Sequence, residues 1–421
     1  MNFCIKTYGC KLNQSDSEIM RDLLLKEHKE TSLNDADLVI LNTCGVVKKT
    51  ERKILKEARN LKNKKVIIAG CLPLISFEEC QKVADGIIGP TNVLSINKVV
   101  DGIVKIDIKK TKIDKAKLKN SSSKIIPIAE GCLGNCSYCA TKIARKELFS
   151  FSAKEIVKKI EKSNQPEIYL TSQDLSVYGL DKGETLSSLL REIIKIDRDF
   201  KLKLGMMNPK YVSDELLDLY KSDKIYKFIH LPLQSGDNDL LKKMNRGYKV
   251  EDFTSIVKKF RKKFKESIIA TDIIVGHPLE TEESFDKTLK VIKEIKPEVL
   301  HIFKFSRRKG TKDFELKDLP DRIKKDRSRI INELFKNYNY EKNKEYIGKK
   351  IEVLIVEKRK NKYLSRTNSG RAVALKEGKI GEKVKVKIID CRWNYLIGET
   401  LLKGEAQMNL FRETGISQGE E

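Results

Sequence analysis

The chain has 421 residues, 34% charged and 40% apolar, with a formal net charge of +25. That length exceeds what one hydrophobic core serves and predicts two or three domains, while the lack of any long apolar run excludes a helical membrane span and points to the cytosol. The basic excess favours a polyanionic partner, nucleic acid foremost, and nine cysteines in a reducing compartment point to metal binding or catalysis rather than disulfides.

In chain order, residues 1–108 open on the alternating run Asn2–Tyr8, a strand pattern rather than a signal peptide. Asp37–Asn42 and Lys65–Ala69 read as buried strands, and Ser15–His28 and Val46–Leu61 as helices. This alternation predicts a small parallel α/β sheet. Residues 109–124 hold seven Lys, one Asp and three consecutive Ser, the composition of a mobile linker. Residues 125–343 resume the alternation. Six strands are predicted at Ile125–Glu130, Glu167–Thr171, Lys201–Gly205, Lys227–Leu231, Ile268–Val275 and Val299–Phe305, with helical stretches between them. Parallel neighbours need such crossovers, so the segment predicts a partial (β/α)6 barrel, too short for eight units. Residues 346–403 carry short alternating runs between Gly-containing turns, the pattern of a small all-β barrel, with fifteen Lys or Arg against six Asp or Glu. Residues 404–421 have no periodicity and are expected to be disordered.

Chemistry concentrates in the cysteines. Cys132, Cys136 and Cys139 form a C-x3-C-x2-C spacing directly after a predicted strand. Three thiolates this close can hold three corners of a four-iron, four-sulfur cluster and leave one iron open, with Gly131 and Gly134 allowing a tight backbone path. A structural zinc site would need a fourth ligand, yet the four histidines, His28, His230, His277 and His301, all lie far away in sequence. Cys10, Cys44 and Cys71 each follow a predicted strand of the first domain. Strand C-termini of a parallel sheet share one edge, so these three converge and suggest a second cluster. Cys4, Cys80 and Cys391 read as small buried apolar residues.

With both trios placed, the chain resembles the methylthiotransferase family of radical S-adenosylmethionine (SAM) enzymes over nearly its whole length. The matching pieces are Thr7–Asn13, Asn42-Thr-Cys44, Gly70-Cys71, the 132–139 triad, Leu231–Gly236, Thr271–Gly276 and Ser306–Thr311. Gly131–Lys142, Leu170–Asp174 and Leu204–Pro209 are similar to the archaeal and eukaryotic branch. The resemblance implies a tRNA substrate, a TRAM-like RNA-binding barrel, SAM and two 4Fe-4S clusters. It also implies methylthiolation of carbon 2 of threonylcarbamoyladenosine beside the anticodon, and an electron donor and a sulfur source whose identity the sequence does not reveal. Isopentenyladenosine in tRNA, or an Asp of a ribosomal protein, are alternative acceptors. A non-catalytic RNA-binding metalloprotein is the alternative of another class.

No general base is assignable. Tyr138, Gln173, Asp174, Gln234, Asp272 and Arg308 are candidate cofactor or substrate contacts at or near strand ends, with core packing or loop capping as the plain alternative for each. Tyr363, Trp393 and Tyr395 are candidate stacking surfaces for RNA. Two departures from the family stand out. Gly276-His-Pro-Leu-Glu-Thr281 replaces Gly-Phe-Pro-Gly-Glu-Thr, which puts the loop shape at Leu279 in question and reads His277 as a neutral loop histidine. Arg145-Lys146 replaces Arg-Gly.

Overall fold

The structure, a computed structural model, describes residues 1–61, 63–102 and 124–401. The expected linker, apart from Lys124, and the expected disordered tail therefore lie outside the described residues.

The first sheet is fully parallel. Its strands are β1 (Asn2–Tyr8), β2 (Lys29–Glu30), β3 (Leu38–Thr43), β4 (Lys65–Gly70) and β5 (Gly86–Ile88), in the order β2-β1-β3-β4-β5. Alternate strand residues face opposite sides, so each face gathers its own core. Helix α1 (Lys11–Leu24) packs Ile19, Met20 and Leu24 with Phe3, Leu38, Ile40 and Ile67. On the other face, helix α2 (Lys48–Asn60) sets Ile54, Leu55 and Ala58 against Val39, Leu41, Val66 and Ile68. Helix α1 starts four residues earlier than the periodicity predicts, because Cys10 already serves as its N-cap.

The central strands are β6 (Ile125–Pro127), β7 (Ala129–Glu130), β8 (Phe149–Ser150), β9 (Glu167–Thr171), β10 (Lys201–Leu204), β11 (Phe228–His230), β12 (Ile268–Val275) and β13 (Val299–Lys304). β6, β9 and β10 form one parallel sheet and β11, β12 and β13 another. Parallel bridges Leu202–Ile225 and Met206–His230 join them into an open six-strand half-barrel in the order β6-β9-β10-β11-β12-β13. The stretch predicted as one strand, Ile125–Glu130, divides after Pro127: β6 pairs parallel with β9, and β7 pairs antiparallel with β8. Helices such as Ala153–Glu161, Leu186–Lys195, Val250–Lys263 and Glu282–Ile295 cover the outside.

A 24-residue helix, Asp321–Lys344, leads to a closed barrel of β14 (Lys350–Arg359), β15 (Lys362–Arg366), β16 (Ala372–Leu375), β17 (Lys383–Arg392) and β18 (Tyr395–Thr400). This barrel is docked, not tethered. Arg366 Nε meets the buried Glu167 of β9 at 2.6 Å, and Arg371 Nη1 donates to Asn343 Oδ1 at 2.5 Å. Trp393 packs edge-on against Phe335 at 5.6 Å, so of its two readings, RNA stacking and core packing, the structure shows packing: the indole is spent on the interface. Tyr363 packs against the barrel's own core, and Tyr395 is half-buried. Among the described residues, no helix is long and apolar enough to cross a membrane.

A cavity lined by six cysteines

The first trio is set by a buried polar lattice. Asn13 Nδ2 donates to Asn42 Oδ1 (3.1 Å) and to the Thr43 carbonyl (3.2 Å), while Asn42 Nδ2 returns to the Asn13 carbonyl (2.7 Å) and Ser17 Oγ (2.8 Å). Thr43 Oγ1 donates to the Ala69 carbonyl at 2.6 Å. These bonds fasten the loops after β1, β3 and β4, where Cys10, Cys44 and Cys71 sit. Gly70 precedes Cys71 with φ +94°, and a Cβ there would lie 2.5 Å from both Asn42 Oδ1 and the Thr43 carbonyl. Only glycine fits that crossing.

The second trio lies on the loop after β7. Gly131 has φ +72°, and a Cβ on it would lie 1.7 Å from the Glu147 carbonyl oxygen. The Gly134 N–H donates to Cys132 Sγ at 3.1 Å and Arg246 Nη1 to Cys136 Sγ at 3.0 Å. Lys142 Nζ donates to the Cys132 carbonyl at 2.5 Å. Donors and cations thus surround sulfur that must carry negative charge when it ligates.

Both trios line one cavity of about 570 Å³ between the first sheet and the mouth of the half-barrel. Burial pushes the Cys71 and Cys132 thiols up to about 11 and raises those of Cys44 and Cys139. Left alone, these thiols keep their protons at neutral pH; a metal ion would displace them. Cys80 and Cys391 are fully buried in apolar cores, and Cys4 packs against one, as small apolar residues do.

The other candidates divide. Gln173, Asp174 and Asp272 line the cavity. The Gln173 Oε1 atom is buried with no partner among the described residues, a vacancy a ligand would fill. Asp174 accepts from the Ser176 and Asn208 N–H groups at 3.1 Å and caps a short turn, while its Oδ2 stands 4.0 Å from Cys132 Sγ. Tyr138, Gln234 and Arg308 are not among the lining residues. The Tyr138 hydroxyl receives Arg246 Nη1 at 3.3 Å and its ring packs on the cluster around Met244 and Phe305. Gln234 carries φ +68° and continues β12's ladder through its backbone. Arg308 is buried in an ion pair with Glu51 of α2 at 2.5 Å, so it joins the half-barrel to the first sheet.

Comparison with known proteins gives this cavity a context. Residues 126–292 match the Radical SAM superfamily, residues 2–89 the uncharacterized protein family UPF0004, and residues 344–401 the TRAM domain. A probable threonylcarbamoyladenosine tRNA methylthiotransferase of Archaeoglobus fulgidus is 46% identical, over 95% of this chain and 98% of its own. The human threonylcarbamoyladenosine tRNA methylthiotransferase is 35% identical over 84% of this chain and 65% of its own. The chain belongs to the threonylcarbamoyladenosine tRNA methylthiotransferase family. The radical SAM methyltransferase TsrM of Kitasatospora setae, solved with cobalamin and a [4Fe-4S] cluster bound, superposes with a TM-score of 0.55 at 13% identity, covering 74% of each chain; this likeness is one of fold.

Radical SAM membership brings SAM and a 4Fe-4S cluster, and three cysteines on one short loop beside a cavity fit that group. Several residues of this methylthiotransferase that matter to the site were missed by sequence reasoning. Arg145, noted only as a departure, is 2% exposed and bridges Asp16 Oδ2 of α1 (2.6 Å) and Glu130 Oε2 of β7 (2.7 Å), clamping the two trios' scaffolds together. His277 is fully buried: Nε2 contacts Asp313 Oδ2 at 2.9 Å, and that same oxygen receives Ser137 Oγ at 2.6 Å from between Cys136 and Cys139. Burial lowers the His277 pKa against the opposing pull of Asp313, so the imidazole is neutral as expected and donates from Nε2. Leu279 stays outside the left-handed region, Gly276 alone taking φ +71°, so the missing glycine leaves the loop unstrained. No sequence signal pointed to Arg246; only the fold brings it to Cys136.

Proposed function

We propose that this chain methylthiolates carbon 2 of threonylcarbamoyladenosine beside the tRNA anticodon, in the cytoplasm. The observation that carries the reading is that two cysteine trios, from different domains, line a single cavity. In this reading Cys132, Cys136 and Cys139 hold the cluster that engages SAM, and Cys10, Cys44 and Cys71 hold a second. The names of the relatives support the acceptor. Carbon 2 of a purine has no acidic proton for a base to remove, and SAM with its cluster supplies the radical chemistry that opens such a bond.

The chain's own part is to place and enclose. Gly131 and Gly70 let backbone approach the clusters closely, and Arg246 and Lys142 bring positive charge to the 132–139 loop. Gln173 offers its unpaired oxygen to a ligand, while Asp174 shapes the loop beside Cys132. Tyr138, Gln234 and Arg308 act as supports behind the lining. The small β-barrel exposes Lys350 opposite Lys387 across one ladder, with Lys385 beside them and Glu352 and Glu399 interleaved, and its excess of fifteen Lys or Arg over six Asp or Glu across residues 346–403 suits tRNA phosphates. An electron donor and a sulfur source complete the reaction. A non-catalytic RNA-binding metalloprotein would account for the charge and the β-barrel, but not for two cysteine trios facing one cavity.

The test is mass spectrometry of nucleosides after anaerobically reconstituted protein, SAM, reductant and a sulfur source have acted on unmodified, isopentenylated and threonylcarbamoylated tRNA. A methylthio mass gain on threonylcarbamoyladenosine alone is expected. A gain on isopentenyladenosine, or SAM cleavage with no tRNA gain, would reassign the acceptor.

A further inference from the structure

On the last strands of the half-barrel the cavity wall carries a second polar cluster that the cysteine chemistry does not use. Asp272 sits directly opposite His301 in the β12–β13 register, and His230 lies opposite Ala270, two residues back on the same face. The register therefore brings three side chains to one point. His301 Nδ1 lies 2.8 Å and His230 Nε2 3.0 Å from the same oxygen, Asp272 Oδ1. Burial alone would raise the Asp272 carboxyl, but the two imidazoles hold it well below the usual carboxylate range. A carboxylate only accepts, so both imidazoles donate to it, and this fixes their tautomers. His301 spends its Nδ1–H on Asp272, which leaves Nε2, on the other edge of the ring, as a lone-pair acceptor for a ligand's hydroxyl or N–H. Its side chain is 49% exposed and lines the cavity, whereas Asp272 is buried beneath it.

We infer that His301, held by Asp272 and His230, recognises the threonylcarbamoyl tail on the substrate adenine, its Nε2 accepting from the tail's hydroxyl or urea N–H. The inference rests on the proposed acceptor and adds the residue that selects it. The tail differs from an isopentenyl tail in carrying a carboxylate, a hydroxyl and a urea, all of which hydrogen-bond. A site with a fixed, half-buried hydrogen-bonding group penalises a tail that leaves that group unpaired far more than an apolar pocket penalises an extra methylene. The other cations of the lining are mostly engaged at the cysteine end. Arg145 is shared by two carboxylates, Arg246 binds Cys136 and Lys142 the Cys132 carbonyl. Lys11 and Lys146 are the lining cations left to pair with the carboxylate, and are the rival source of the preference.

Asparagine places its amide nitrogen where Nδ1 stands, so His301→Asn keeps the Asp272 contact and removes only Nε2. The experiment compares the affinity of reconstituted protein for one tRNA with and without its threonylcarbamoyl group, in wild type, His301→Asn, Lys11→Gln and Lys146→Gln. Phosphate contacts are common to both tRNAs and cancel in the ratio. Wild type is expected to prefer the modified tRNA, and His301→Asn to lose about twofold to tenfold of that preference, as for a hydrogen bond between neutral groups. The KM for threonylcarbamoyl tRNA should rise in parallel while affinity for the unmodified tRNA holds; a merely structural defect would weaken binding of both tRNAs and leave the ratio. An intact preference in His301→Asn, or its loss in Lys11→Gln or Lys146→Gln instead, would overturn the assignment to His301. If wild type itself shows no preference and no product, the acceptor reading falls with it, which the wild-type arm alone reveals.

Discussion

His277 stands where the resemblance expects phenylalanine, and the structure gives the replacement a task. Its Nε2–H, the Asp313 carboxylate and the Ser137 hydroxyl form a chain that ends inside the cysteine loop. Because burial depresses its pKa, the folded chain binds fewer protons than the unfolded chain once pH drops below the unfolded value near 6.5. The contribution of His277 is thus full above that pH and is lost as pH falls through the folded value. His277→Phe is expected to cost about 1–2 kcal/mol at pH 8 and to flatten the loss of stability on the acid side, measured by urea unfolding across pH. An acid limb identical to wild type would contradict this. The sequence showed that a histidine was there and neutral, but not its partner, since Asp313 lies 36 residues away and only the fold closes that distance.

Among the elements, strand ends did most to make the site readable. Cys10, Cys44 and Cys71 could be brought together from sequence because a parallel sheet leaves no freedom about which edge its strand C-termini share. Asp272 was picked out for a similar reason. Tyr138, Gln234 and Arg308 stand behind the lining, since proximity to a strand end does not say whether a side chain turns into the mouth or back to a neighbouring element, and Arg308 turned to Glu51. Arg145 and Arg246 escaped notice since long-range ion pairs leave no local pattern. The clamp at Arg145 yields a prediction: Arg145→Met removes the guanidinium that Asp16 and Glu130 share, at an expected cost of about 3 kcal/mol. Unfolding midpoints equal to wild type would show that the two scaffolds hold together without it. Similarly, Gly131→Ala meets the Glu147 carbonyl and should lower the iron bound on reconstitution, whereas Gly183→Ala, a left-handed glycine with open space around it, should leave iron unchanged.

At the scale of the whole molecule, the first sheet and the half-barrel share one cavity, and the terminal barrel docks on the half-barrel. Glu167 inside the half-barrel is held by Lys124 and by Arg366 from the terminal barrel. Arg366→Ala is therefore expected to destabilise the protein by about 3 kcal/mol, beyond any effect on RNA binding. The exposed lysines should make tRNA affinity strongly salt-dependent: neutralising six to ten phosphates predicts a fall of about 10³- to 10⁵-fold from 50 to 200 mM salt. A flat salt response would mean that the basic barrel is not the docking surface. The central claim is that the two cysteine trios hold separate clusters with separate duties at a shared cavity. The most direct test replaces Cys10, Cys44 and Cys71 together by Ala, and Cys132, Cys136 and Cys139 together in a second variant, then measures iron, SAM cleavage and tRNA product in each. The first variant should keep about half the iron and still cleave SAM but form no methylthio product; the second should do neither reaction. Full iron content and product in the first variant would contradict the account.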